Sequence, residues 1–305
     1  MSPTTPTLSI VTTCLNSADY LQHTIDSIRS QNGNFTLEYI LIDGGSKDTT
    51  LDIIEANEAH ITRWISEKDN GMYDAIAKGF DLSNGEIMGW LNSDDLYFPW
   101  TLNLIGRLFA EFPEVQWIST LSPAAIDSSG DIIKIRKIAG FSQQAFFDGI
   151  YVGFGGFGNP RASEFIQQES TFWRRSLWDQ VVGSNIIRDY SVAGDFALWS
   201  AFMERAPLYG VESPLGAFRM RAGQLSYSDP GKYLGEANRA LSIARNNQNY
   251  VPPTLQDDAP AQYTGQFLEQ ASFHDANAKW EMSEKPFIVL PRSDWKGAIF
   301  DGRVF

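Results

Sequence analysis

The chain has 305 residues, of which 43% are hydrophobic, so it can bury the core of one large domain or of one domain with an extension. Its formal net charge of -13 argues against a protein that follows nucleic-acid phosphates, because such a protein needs a basic face. A nucleotide is still compatible with this charge, since a metal ion can neutralise its phosphates.

Short apolar runs alternate with helical periodicity through the first 120 residues. The apolar runs predict strands at residues 8–14, 37–42, 61–65, 87–91 and 115–119. Apolar residues at helical spacing predict helices between these strands, at residues 20–31, around Ile54, around Ile76 and at residues 102–109. This alternation predicts an α/β fold with a mostly parallel sheet and helices on both faces, as in a Rossmann-like nucleotide-binding half.

Beyond residue 120 the pattern changes. We expect a hairpin at residues 126–133, strands at 166–173 and 217–220, and helices at 196–205 and 232–246. Residues 247–262 are typical of a linker, and the remaining tail has no clear period. The predicted organisation is one domain over residues 1–230, with a nucleotide-binding half (1–120) and an acceptor half (121–230). A C-terminal helical extension and tail would follow over residues 231–305.

Three features limit the cofactor and the compartment. Cys14 is the only cysteine, so an internal disulfide is excluded and a cytoplasmic setting is expected. No signal peptide and no apolar stretch of about 18 residues is present, so we expect no transmembrane segment. Residues 153–158 fit G-x-G-x-x-G, but no strand precedes them and Pro160 interrupts a following helix, which argues against dinucleotide binding there.

Two adjacent carboxylates, Asp94 and Asp95, directly follow the apolar run at 87–91. Carboxylates at the carboxyl end of a strand face the crevice where open α/β sheets bind ligands, and Mg²⁺ or Mn²⁺ takes oxygen ligands there. We expect Asp95 to face solvent in this loop. The alternative is an acidic turn, because Asn, Ser and Asp are common turn residues.

Four polar motifs follow predicted strands in the first half. They are Thr12-Thr13-Cys14-Leu15-Asn16, Asp43-Gly44-Gly45-Ser46-Lys47-Asp48, the segment from Ser66 to Ala75, and Asn92-Ser93-Asp94-Asp95. Each alone would be a plausible turn, but together they predict a site at one edge of the sheet. The combination resembles the family-2 glycosyltransferases of the GT-A fold, over residues 7–226 and most strongly in the first 100.

The resemblance implies an inverting transfer of a sugar from a nucleoside-diphosphate sugar to a hydroxyl of a glycan or lipid-linked glycan, with Mn²⁺ or Mg²⁺. The expected setting is bacterial polysaccharide or glycan biosynthesis in the cytoplasm, compatible with peripheral contact at the inner face of the membrane. It also implies roles for residues of the nucleotide half. These are Thr13, Asn16, Lys68 and Asp69 beside the nucleotide, Asp43 as acceptor of a hydrogen bond from the base, Asp94 on the ribose side and at the metal, and Asp95 as metal ligand.

In the acceptor half the resemblance makes Asp195 the general base, since an inverting transfer needs a carboxylate to take the acceptor proton. The alternative is that Asp195 caps a helix, and Asp189 and Glu169 are the fallback bases. Arg221 stands where many relatives carry His, and its guanidinium suits a phosphate. Phe172 and Trp173 would stack on sugars or, more commonly for such residues, pack in the core.

Two other functions remain open from the sequence. A nucleotidyltransferase also uses an α/β sheet and paired carboxylates, but it usually has a glycine-rich, basic loop after the first strand, and residues 13–17 contain neither glycine nor a basic residue. A catalytically silent sugar-nucleotide-binding subunit would be indicated by loss of the base or metal carboxylates, and both are present.

Overall fold

The computed structural model describes residues 5–153, 164–221, 223–224, 229–253, 260–271 and 279–289. Thirteen strands lie in this part of the chain. They are β1 Thr7–Cys14, β2 Thr36–Asp43, β3 Arg63–Ser66, β4 Ile87–Trp90, β5 Leu96–Tyr97, β6 Trp117–Thr120, β7 Ala124–Ile126, β8 Ile132–Ile135, β9 Phe172–Arg174, β10 Tyr209–Val211, β11 Gly216–Arg219, β12 Ala261–Gln270 and β13 Trp280–Val289.

The helices within the described ranges follow the strands in the expected alternation. They are α1 Leu21–Arg29, α2 Thr50–Ala56, α3 Met72–Asp81, α4 Thr101–Glu111, α5 Gln143–Phe147, α6 Arg175–Val181, α7 Gly183–Arg188, α8 Gly194–Met203 and α9 Pro230–Asn247. No helix among these residues is long and apolar enough to cross a membrane.

The strands form a nine-stranded sheet in the order β13-β12-β10-β6-β9-β4-β1-β2-β3 and a four-stranded sheet in the order β5-β11-β7-β8. In the large sheet β9 and β13 run against the other strands, so the sheet is mostly parallel, as predicted. The hairpin predicted after residue 124 is also present, as the antiparallel pair of β7 and β8 in the small sheet.

Apolar residues cover the large sheet on both faces. In β2, Ile40 and Ile42 belong to one buried cluster, whereas Tyr39 and Leu41 belong to another. This alternation is what a strand covered on both sides requires, because successive side chains point to opposite faces.

The C-terminal part differs from the prediction. The tail that was expected to lack a period contains β12 and β13, which pair over ten residues and extend the large sheet beyond β10. The predicted helix after residue 230 is present as α9, and its buried side chains, among them Ala237 and Leu241, join the cluster that covers α8. The boundary at residue 230 stays a prediction.

The strand predicted at residues 166–173 is shorter than expected. A 3₁₀ turn occupies Gln168–Ser170, and only Phe172–Arg174 forms a strand. Most of the G-x-G-x-x-G segment lies outside the described residues.

Candidate active site

The carboxyl ends of four neighbouring strands form one edge of the large sheet. β1, β2 and β3 end in register, since Cys14 pairs with Asp43 and Asp43 pairs with Ser66. β4 lies on the other side of β1 and runs parallel to it. The four loop motifs therefore leave from the same edge, which is where open α/β sheets bind ligands.

Asn16 joins the loops after β1 and β2. Its backbone N–H donates to Ser46 Oγ at 2.8 Å, and its Oδ1 accepts from the Lys47 N–H at 2.8 Å. Asn16 has a φ of 49°, in the left-handed region that asparagine tolerates better than most residues. The side chain thus orders the edge of the site, and a contact with the donor stays a prediction.

Asp43 lies beneath these loops rather than in the crevice. Its side chain has no exposed surface. One oxygen accepts from Ser66 Oγ at 2.6 Å and from the Gly45 N–H at 3.1 Å, and the carboxylate also accepts from the hydroxyl and the N–H of Ser46. The Cys14 thiol lies 3.7 Å from the other oxygen. A carboxylate used in this way holds the loop after β2 together and has no surface to offer to a base.

The other residues predicted beside the nucleotide have varied exposure. Thr13 is 8% exposed at the end of β1, whereas Lys68 is fully on the surface. Asp69 is half-buried and accepts from the Gly71 N–H at 2.9 Å.

Asp94 lies opposite two arginines. Its Oδ2 is 2.7 Å from Arg221 Nε, and its backbone carbonyl accepts from Arg219 Nε at 2.6 Å. Both guanidinium groups lie over the ring of Tyr20, at 4.8 Å for Arg219 and 5.6 Å for Arg221. Sequence reasoning missed Arg219 and Tyr20. The signal for Arg219 was its position two residues before Arg221, at the end of β11.

Asp95 does not face solvent, so that expectation was wrong. Its side chain is 1% exposed, its Oδ1 accepts from the Arg219 N–H at 2.8 Å, and its Oδ2 accepts from Asn92 Nδ2 at 3.1 Å. Burial, together with the charges of Glu169 and Asp94, raises the pKa of Asp95 well above its ordinary value. Asp95 therefore fastens β11 to the loop after β4, and its role as a metal ligand stays a prediction.

The chemistry of these donors fits a divalent cation only in part. Among the described residues, no group of three or more His, Cys, Asp or Glu side chains could hold a metal alone. Mg²⁺ in transferases is usually held by one or two carboxylates together with substrate phosphates, so such a cage is not required. Asp94 suits this arrangement better than Asp95, because it is half-buried rather than enclosed.

Glu169 is a second buried carboxyl in this region. It is 3% exposed, and its Oε1 has no hydrogen-bond partner in the described structure. Burial is the main cause that raises its pKa, and the charges of Asp94 and Asp195 raise it further. The charges of Asp94 and Asp195 thus both act on the same buried carboxyl.

We expect the unfolding free energy of Glu169→Gln to decrease less with rising pH than that of the wild type. The pKa of Glu169 in the folded protein lies above its ordinary value of 4.5. Its contribution to the unfolding free energy is therefore complete below pH 4.5 and is lost as pH rises towards the pKa of the folded state. Glutamine stays neutral, so the unfolding free energy of the variant should fall less as pH rises. A difference of one pH unit between the folded and unfolded pKa corresponds to about 1.4 kcal/mol of unfolding free energy. Urea unfolding in the presence of EDTA, at pH values between about 5 and 8, measures this difference. The prediction is contradicted if the unfolding free energies of the wild type and the variant depend on pH in the same way.

Asp195 lies in the first turn of α8 and is partly exposed. Its Oδ1 accepts from the Phe196 N–H at 2.8 Å and from the Tyr73 hydroxyl at 3.3 Å. Burial raises the pKa of Asp195 above its ordinary value, and these hydrogen bonds oppose the rise. Ala193 occupies the N-cap position, so Asp195 is not the cap that the alternative interpretation required.

The remaining predicted positions lie away from this group. Phe172 and Trp173 have no exposed surface, so both pack in the core. Asp189 is exposed after α7, and its backbone carbonyl accepts from Arg239 at 2.7 Å. The two aromatic residues therefore have no surface to offer to a sugar, and the role of Asp189 as a fallback base stays a prediction.

Comparisons with known proteins identify a sequence family and a fold. The family described as Glycosyl transferase family 2 matches residues 9–119. An uncharacterized glycosyltransferase of Mycobacterium tuberculosis is 36% identical over 190 residues, which are 62% of this chain and 66% of the relative. The match thus spans just under two thirds of that relative's length.

Solved structures share the fold at low identity. Residues 1–349 of S. aureus TarS, in complex with UDP-GlcNAc, give a TM-score of 0.59 and 14% identity, over 82% of this chain and 68% of the TarS fragment. Glucosyl-3-phosphoglycerate synthase from Mycobacterium tuberculosis, solved with Mn²⁺, UDP and glucosyl-3-phosphoglycerate, has a TM-score of 0.52 and 14% identity, over 94% and 90% of the two chains. With the family match and the mycobacterial relative, this likeness shows that the chain contains a glycosyl transferase family 2 domain over residues 9–119 and has the mostly parallel α/β fold of the GT-A glycosyltransferases.

Proposed function

We propose that this protein is an inverting glycosyltransferase that moves a sugar from a nucleoside-diphosphate sugar to a hydroxyl of a glycan or lipid-linked glycan. The expected setting is polysaccharide or glycan biosynthesis in the bacterial cytoplasm. The TarS complex supports a nucleotide-sugar donor, since that protein was solved with UDP-GlcNAc.

One observation carries the proposal more than any other. The charges of Asp94 and Asp195 both contribute to the raised pKa of one buried group, Glu169. Asp94 faces the guanidinium of Arg221, which suits a phosphate, whereas Asp195 faces the neutral hydroxyl of Tyr73. The two carboxylates thus have different surroundings, as a site needs when one end holds a leaving diphosphate and the other accepts a proton.

In the proposed reaction Asp195 takes the proton of the acceptor hydroxyl as its oxygen bonds to the anomeric carbon. The bond from that carbon to the diphosphate breaks on the opposite face, so the configuration inverts and the nucleoside diphosphate leaves with the bonding electrons. Tyr73 holds the carboxylate of Asp195 in place, and Arg221 pairs with the charge that develops on the diphosphate.

A divalent ion fits the diphosphate end of the site. Asp94 would hold Mg²⁺ or Mn²⁺ together with the donor phosphates, and the bound ion would act as a Lewis acid that stabilises the leaving group. The synthase solved with Mn²⁺ and UDP supports this metal by its likeness of fold. A cavity of about 230 Å³ is lined by Tyr73, Arg188 and Tyr190 among others, and the hydroxyl of Tyr73 contacts Asp195. This cavity is the proposed place of the acceptor.

The full chain should hydrolyse its own donor slowly, with water in place of the acceptor. A panel of UDP, GDP, dTDP and CMP sugars with Mg²⁺ or Mn²⁺ should contain one that raises the melting temperature and releases its nucleotide, because a ligand of the native state stabilises it by mass action. From an α-linked donor, proton NMR should detect the β sugar first.

Three results would contradict the proposal. First release of the α sugar would mean retention of configuration. Pyrophosphate formed from a nucleoside triphosphate and a sugar 1-phosphate would indicate a nucleotidyltransferase. Binding of a sugar nucleotide without hydrolysis, and without transfer to glycan or lipid-linked acceptors, would indicate a silent binding subunit.

A further inference from the structure

Asp43, the acidic residue that the family resemblance assigns to the nucleotide base, does not face the crevice. Asp43 has no exposed surface, and both of its oxygens accept hydrogen bonds within the protein. Binding a base through Asp43 would require these bonds to break and the loop after β2 to open. Another group at the same edge must therefore be considered.

Asp69 is an acidic residue that lies next to the loop after β2. It follows β3, and its carboxylate lies against Gly44, the residue directly after Asp43. A Cβ on residue 44 would lie 2.6 Å from Asp69 Oδ2, which is closer than real Cβ atoms approach another atom. Any larger residue at position 44 would therefore displace this carboxylate from its place at the end of β2.

One oxygen of Asp69 is available to a ligand. Oδ1 accepts from the Gly71 N–H at 2.9 Å, and Oδ2 accepts no hydrogen bond within the part of the chain that the structure describes. The neighbouring acids are used differently. Glu67 pairs with Lys78 at 2.9 Å, and the two oxygens of Asp48 accept from the backbone of Ala18 and Thr50.

Asp69 belongs to the edge of the sheet where the loops after β1, β2 and β3 leave. Cys14, Asp43 and Ser66, at the ends of these strands, are paired in register, and Asp69 follows Ser66 by three residues. Its carboxylate lies against Gly44, and residues 44 and 45 carry no side chain at this edge.

We propose that Asp69, rather than Asp43, recognises the base of the donor nucleotide and selects a base with a ring N–H. This inference rests on the proposed function and deepens it. An ionised carboxylate only accepts hydrogen bonds, so it suits the ring N–H of uracil, thymine or guanine. Cytosine and adenine present a ring nitrogen lone pair at the corresponding edge, which a carboxylate repels.

The test is calorimetry of UDP, GDP, dTDP, CDP and ADP binding to the full chain with Mg²⁺. The wild type should bind at least one diphosphate of the first three more tightly than CDP and ADP. Asp69→Asn should lower the affinity for that diphosphate by about 10- to 100-fold, as expected when a hydrogen bond to a charged group is lost. The variant should also show a smaller difference in affinity between that diphosphate and CDP, because the new amide can donate to the cytosine ring nitrogen.

Gly44→Ala is a second variant that leaves Asp69 in the chain. Its methyl group would lie 2.6 Å from Asp69 Oδ2 and push the carboxylate aside, so the same loss of base preference is expected. Asp43→Asn should instead lower the melting temperature and keep the base preference, because it removes an acceptor from buried donors. Asp52→Asn, at an exposed position of α2, is the matched surface control.

The outcomes separate this inference from the proposed function. If the wild type binds none of the diphosphates, both are wrong. If it binds one, and Asp69→Asn and Gly44→Ala keep its affinity and its preference over CDP, the role of Asp69 is overturned while the donor proposal stands. A lost base preference in Asp43→Asn at an unchanged melting temperature would return the role to Asp43.

Discussion

Asp195→Asn is expected to lower kcat by about 10²- to 10⁴-fold, the range typical of losing a general base. Donor affinity should stay near that of the wild type, because the proposed function assigns Asp195 to the acceptor and not to the donor phosphates. The melting temperature should fall only slightly. Ala193 is the N-cap of α8, so the substitution removes only the favourable interaction of a charge with the helix dipole, worth about 0.3 to 1 kcal/mol.

The pH profile distinguishes a base from a residue that only supports the helix. The raised pKa of Asp195 means that the rate of the wild type should fall, as pH drops, at a higher pH than for an ordinary aspartate. Asp195→Asn should lose this acidic limb. Asp189→Asn is the control, because Asp189 is exposed and is held through its backbone carbonyl. Near-wild-type kcat in Asp195→Asn would show that the assignment is wrong and would favour Glu169.

A variant of Tyr73 tests the assignment of Asp195 a second time. Tyr73→Phe removes the hydroxyl that lies 3.3 Å from Asp195 but leaves the carboxylate, so its effect should be smaller than that of Asp195→Asn. A positioning role for Tyr73 requires the acidic limb to move, since a carboxylate that loses a donor gains a proton more readily.

The sequence predicted the layout of the site better than its burial. Strand ends could be placed from apolar runs such as residues 87–91, and the parallel sheet then brought four loops to one edge. The exposure of Asp43 could not be predicted in this way. Its donors include Ser66, which lies 23 residues further along the chain and reaches Asp43 only through the pairing of β2 with β3.

The same limit explains Asp95, whose partner is a backbone N–H 124 residues away. β12 is a different case, because its pattern was present in the sequence. Tyr263, Gly265 and Phe267 alternate with polar residues and are buried against the sheet. The strand was overlooked because a glycine and glutamines weaken the apolar signal, although a period of two was sufficient to predict it.

Asp94→Ala is expected to abolish the effect of metal on donor binding and to lower kcat/KM on the order of 10²- to 10³-fold, as when a group that stabilises a developing charge is lost. Asp94 is half-buried, so its removal should change the melting temperature little. Calorimetry of UDP and GDP with Mn²⁺ and with EDTA measures the first effect. In the variant, the two conditions should give the same affinity.

Asp95→Ala is the matched comparison, because the two residues are adjacent but have different surroundings. Asp95 holds the Arg219 N–H within the protein, so its removal leaves a buried donor unpaired and should cost about 1 to 3 kcal/mol of unfolding free energy. Wild-type transfer that is unchanged by EDTA would show that the metal prediction is wrong for both residues. Arg221, already 2.7 Å from Asp94, would then be the group that neutralises the diphosphate, and Arg221→Ala should lose the activity that EDTA spares.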